Sequence, residues 1–111
     1  MSNDQAFKYF AQAANELAVI PADSIVSRTI YNDPMIKVIL FGFAPGQELS
    51  EHTSARRAML HFLDGHAQVT LGDESFEAQA GTFAYMQPNL KHSVTAHEET
   101  RMLLIMVEDA G

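Results

Sequence analysis

No cysteine occurs in the chain, so disulfides, thiolate metal sites and cysteine nucleophiles are all excluded. Any chemistry must come from histidine, carboxylates, hydroxyls or a bound metal. Positive charge is scarce as well: seven Lys and Arg against fourteen Asp and Glu give a formal charge of −7. A surface of that sign repels a phosphate backbone instead of releasing counterions from it, so no nucleic-acid partner is expected. Long apolar runs are missing. The longest, 38–41 and 102–107, fall far short of the ~20 residues that span a bilayer, and residues 1–10 hold no apolar stretch of the kind an export signal needs. No membrane partner is expected, and a cytoplasmic location is the expectation that fits these absences.

What is present is a globular composition: 111 residues, 47% hydrophobic and 9% aromatic. That length supports one core, burying roughly two thirds of the surface the unfolded chain exposes, with no room for a second. Residues 1–23 read as an N-terminal extension. Within it Phe7-Lys8-Tyr9-Phe10 is strand-like, whereas the alanine-rich 11–17 favours a short helix by propensity. From Ser24 onward the pattern changes to eight brief β-rich runs, 25–30, 36–44, 58–63, 67–71, 75–78, 82–86, 92–96 and 101–107. Between them stand Asn32-Asp33-Pro34, Pro45-Gly46, Asp64-Gly65, Gly72-Asp73 and Pro88-Asn89, which supply the positive φ or fixed proline φ of tight turns. Short strands so spaced predict an all-β sandwich or barrel, in which closure or sheet packing disposes of exposed edges. Residues 24–111 are expected to form that single domain.

Alternation assigns faces. In Ala58-Met59-Leu60-His61-Phe62-Leu63 both registers are largely apolar, so this strand is expected to be covered on both sides, one inside the barrel and one against another sheet or subunit. A homodimer is the expected assembly.

The segment PGQELSEHTSARRAMLHFLDG resembles the first cupin motif: a Gly, five residues, His-x-His, three or four residues, Glu, six residues and Gly. Gly46, His52 and Gly65 match it. GTFAYMQPNLKH is similar to the second cupin motif, with Gly81 and His92 matching and Gln87-Pro88-Asn89 in place of the usual Pro-x-Gly turn. The resemblance runs over roughly residues 24–107 and implies a small single-domain cupin, a double-stranded β-helix or jelly-roll barrel. It also implies a metal site, from which this chain departs. Ser54 stands where the second His belongs and Ala58 where the Glu belongs, leaving His52 and His92 as the matching ligands. Zinc, nickel, manganese or iron centres usually need three or four protein ligands, so a divalent metal held here is expected to be held weakly. The alternative for both histidines is that of hydrogen-bonded polar groups lining a ligand pocket.

Ser54, Ala58, Leu60, Phe62, Tyr85, Met86 and Val94 are expected to line the barrel interior around the two histidines. His61 falls on the opposite face of its strand by parity, and His66 and His97 are expected on turns or edges. Arg56 and Arg57 stand near the barrel opening, where they could steer an anion or simply be solvated. No Ser-His-Asp order, paired-carboxylate site or phosphate-binding glycine loop is present. The expected function is binding of a small molecule in the barrel. One alternative is a metal-dependent dioxygenase, isomerase or lyase acting on a small acid or sugar; another is a non-catalytic structural or regulatory dimer.

Overall fold

Turn chemistry sets the length of each strand. In the computed structural model, which describes residues 6–108, the first hairpin closes at Asp33, whose carboxylate accepts the Met35 and Ile36 amides at 2.8 Å each and the Tyr31 hydroxyl at 2.6 Å. The Tyr31 hydroxyl and then the two amides hold that carboxyl below its usual range, and the same contact raises the tyrosine. At Gly65 (φ 86°) a side chain would strike the Glu99 carbonyl and Thr100, so only glycine makes this turn.

Among the described residues there are nine strands: β1 Ile25–Asn32, β2 Ile36–Phe43, β3 Glu48–His52, β4 Arg57–Asp64, β5 His66–Leu71, β6 Glu74–Gln79, β7 Phe83–Met86, β8 His92–Ala96 and β9 Thr100–Val107. They form two antiparallel sheets, ordered β1-β2-β9-β4-β7 and β3-β8-β5-β6. This is the all-β, two-sheet barrel architecture expected. The eight anticipated runs all appear within a residue or two. β3 is additional: its sequence ELSEH offers one apolar residue, Leu49, and it lies exposed at an edge of its sheet.

Register fixes what faces inward. Opposed residues of antiparallel strands point to the same side, so Phe41, Met102 and Phe62 form one inward row and Ile39, Leu104, Leu60 and Ala84 the next. Val94, Val69 and Phe76 face them from the other sheet. Phe43, Leu60, Phe62, Val69 and Val94 are at most 1% exposed, so the middle of the barrel is filled by side chains.

The N-terminal extension folds differently from the short helix expected over 11–17. Ala13–Leu17 makes one 3₁₀ turn with no buried residue and no side-chain cap at Gln12. Alanine propensity alone does not repay helix nucleation over so few residues. Residues 13–20 instead lie across the outer face of β1, β2 and β9. Ile20 packs over Gly42, where a methyl group would sit 2.8 Å from its Cδ1, and Arg101 donates to the carbonyls of Leu17 at 2.8 Å and Ala18 at 2.9 Å. Arg101 is itself paired with Asp64 and Glu99, at 3.2 and 3.1 Å. Phe7 and Tyr9 are exposed and in no strand. No described helix is long and apolar enough to cross a membrane.

Candidate functional site

Pairing of β3 with β8 sets His52 directly opposite His92, although forty residues separate them in the chain. Their ring centroids lie 4.1 Å apart with the planes inclined at 61°. Each Nδ1 is bonded to the carbonyl two residues earlier, His52 to Ser50 at 2.8 Å and His92 to Leu90 at 3.0 Å. A carbonyl can only accept, so both Nδ1 atoms carry the proton and both neutral rings keep an unprotonated Nε2. That is the tautomer a metal or a hydrogen-bond donor meets at a ligating histidine.

Local structure holds this arrangement from both sides. Asn89 takes a left-handed conformation (φ 68°) in the turn Gln87-Pro88-Asn89, and its amide donates to the Ser54 carbonyl at 2.7 Å. The loop after His52 is thereby tied to the loop before His92. A bulge between Leu49 and His52 re-aims β3, a device that breaks the ladder to orient a side chain.

The two rings differ in exposure. His92 is buried at 5% and His52 is exposed. Burial lowers the pKa of His92 from the ordinary 6.5; the bond to Leu90 works against that, and the neighbouring His52 works with it. A depressed pKa favours the neutral ring in the folded state. The ligand-free protein should therefore hold this contribution to stability in full above pH 6.5 and lose it as pH falls, until folded His92 is itself protonated. Urea unfolding from pH 8 to 5 should show wild type losing more stability on acidification than His92→Gln. Parallel curves would contradict the assignment.

The opposite wall is less polar. Ala58 pairs with Met106 and Met86, giving an inward row at this end of the larger sheet. Ser54 is half-buried in the preceding loop, its hydroxyl accepting the Arg56 amide at 3.1 Å. Leu60, Phe62 and Val94 also face inward, as packed core below the mouth. Tyr85 corrects the expectation: it opposes Met59 on the outer face, is 49% exposed, and its hydroxyl accepts a hydrogen bond from Arg57. The reason is strand parity, since its neighbour Met86, at 2% exposure, takes the inward position. Arg57 shares Tyr85's side, and Arg56 pairs with Glu108 at 2.9 Å. His61 is on the outer face opposite Phe83.

Sequence reading missed two features. His66 and His97 both bring Nε2 to one oxygen of Glu77, at 2.9 and 3.0 Å, tying β5, β6 and the β8–β9 turn together at the far end. Lys37 points inward at the mouth; its parity with the apolar Ile39, Phe41 and Phe43 was the available signal.

As a metal centre the donor set falls short. Two imidazole rings lie side by side, and among the described residues no group of three or more His, Cys, Asp or Glu could hold a metal ion. Serine at 54 and alanine at 58 put no nitrogen or carboxylate where the motif would have them. The residues present do not fit a resident metal held by the protein alone.

Known proteins bear on this architecture in two ways. The sequence matches the cupin domain family over residues 39–108. The chain belongs to that family. Its fold is similar to a conserved Streptococcus pyogenes protein of unknown function, at 26% identity and TM-score 0.78 over 99% of this chain and 95% of that one. A cupin superfamily protein from Desulfitobacterium hafniense aligns at 19% identity and TM-score 0.80, covering 96% and 94%. KdgF from a Halomonas species aligns at 17% and 0.69, covering 78% and 81%. The last two likenesses establish the fold alone. No curated protein matches the sequence.

Proposed function

We propose that this cupin binds a small molecule at the mouth of its barrel, with the unprotonated Nε2 atoms of His52 and His92 as the recognition groups. The observation that carries the reading is the shared geometry: two rings 4.1 Å apart, each fixed by a carbonyl so that the same nitrogen is left free. Two acceptors side by side favour a ligand with hydroxyl or amino donors. A divalent ion such as zinc, nickel, manganese or iron would be held only weakly, completing its coordination with water or ligand. Binding without catalysis is the reading the short donor set supports. A screen of small acids, sugars and nucleosides, followed through the imidazole NMR signals of both histidines, tests it. A binder that moves both rings and is lost in His52→Ala/His92→Ala supports the reading; no binder at either ring contradicts it. Metal analysis of protein purified without chelator should give well under one equivalent.

The assembly we propose is a homodimer formed through the outer face of β9, β4 and β7. Met59, Leu103 and Ile105 are half-buried there, and Phe83 and Tyr85 stand at 59% and 49% exposure beside them. Exposed apolar surface of this kind on a monomer rarely exceeds a few hundred Å², and covering it against a second copy would use about 800 Å² per partner. Phe83→Lys should shift the chain to monomer in sedimentation equilibrium without unfolding it. A wild type that sediments as monomer at every concentration would contradict the proposal.

A further inference from the structure

Lys37 is a basic residue at the head of an inward-facing apolar series. On β2 it shares parity with Ile39, Phe41 and Phe43, opposes Met106 on β9, and Met106 in turn opposes the buried Ala58 on β4. Opposed residues share a face, so the lysine stem enters the barrel side of the sheet. Its level along the barrel follows from connectivity. β2 ends at Phe43 and β3 begins at Glu48, so the corner between them sits at one end of the barrel. Lys37 and His52 both lie at the other end, where Ala58 follows the loop from His52. Two strand spacings, about 10 Å, separate Lys37 from Ala58 along the sheet, and facing sheets stand about 10 Å apart. Lys37 is half-buried, and among the described residues its side chain forms no hydrogen bond or ion pair. A lysine that buries part of its stem and carries no ion-pair partner leaves its ammonium available to an anion at the mouth.

We infer that Lys37 is the anion-binding group of the mouth, and that the ligand is a small organic acid whose carboxylate meets Lys37 while a hydroxyl donates to His52 or His92. The inference rests on the reading of the mouth as a ligand site and narrows it to a chemical class. The chemistry is complementary on both sides: the imidazoles offer lone pairs that need donors, and the ammonium offers donors and charge that need an acceptor. The rest of the chain repels acids, with a formal charge of −7, so an inward cation selects a carboxylate against the protein's general field.

The test is a titration with ω-hydroxy acids of two to six carbons, each against its neutral amide, read on the imidazole signals. At least one acid should move both rings and bind at least tenfold more tightly than its amide. Lys37→Met should weaken that acid at least tenfold and leave the amide unchanged, Lys37→Arg should stay within about threefold, and Lys8→Met should match wild type. Lys37→Gln serves where the Met variant misfolds. Equal binding of acid and amide, or of acid by wild type and Lys37→Met, overturns the inference. Should uncharged probes from the wider screen move the rings while no acid does, the acid assignment falls and the ligand site stands. If nothing moves either ring, both fall.

Discussion

Introducing Ser54→His together with Ala58→Glu should raise affinity for zinc or nickel about a hundredfold or more, enough for the protein to retain a near-stoichiometric ion through gel filtration. The two substitutions restore the nitrogen and the carboxylate that the cupin motif has and this chain lacks. Register predicts where the new groups fall: Ala58 faces inward on the mouth row beside Met86 and Met106, and position 54 lies two residues beyond His52. Ala58→Glu alone should give about a tenfold gain, in the range by which one well-placed group changes metal affinity. Stability supplies an independent readout. A carboxylate at a position only 1% exposed should destabilise the metal-free variant by a few kcal/mol, and added zinc should reverse that loss. Competition with a chromogenic chelator measures the affinity and a thermal melt measures the rescue. An unchanged affinity would mean that Ala58 and the two imidazoles do not face one cavity.

The second large effect concerns the scaffold beneath the site. Phe62→Ala is expected to cost about 3–5 kcal/mol, a large share of the ~5–15 kcal/mol by which a domain of this size is stable. Phe62 is fully buried among Met102, Leu60 and Phe43, and its backbone also bonds to Thr82 and Gly81 at 2.9 Å each. Phe83→Ala, one strand away and facing out, should cost the isolated subunit under about 1 kcal/mol. Urea denaturation of the two variants decides the matter. Similar losses would mean that the inward and outward faces of the larger sheet have been assigned wrongly.

Much of this was legible in the chain. Turn residues marked the strand ends because the turns at Gly65, Gly72 and Asn89 need a positive φ, a local requirement that glycine and asparagine meet at least cost. The pairing of His52 with His92 followed from the motif, and the register of β3 on β8 delivers it. Tyr85 was misplaced because β7 is only four residues long and apolar in both registers; parity alone could not choose between Tyr85 and Met86 until pairing with Ala58 fixed it. β3 escaped notice because an exposed edge strand has little apolar pattern to show. Lys37 was passed over for the opposite reason. A single charge in the run Ile36-Lys37-Val38-Ile39 looks like a solvated position until the neighbouring strand shows that its side chain shares the inward face with Met106. The His66–Glu77–His97 contacts join three segments distant in sequence, which no local pattern reports.

Long-range proton–nitrogen NMR of the imidazole rings is the most direct measurement. In ligand-free protein the neutral rings of His52 and His92 should both carry the proton on Nδ1, and one equivalent of zinc, used as a probe, should perturb both Nε2 resonances with a single binding curve. Protonated Nε2 atoms, or two rings that respond independently, would contradict a shared mouth.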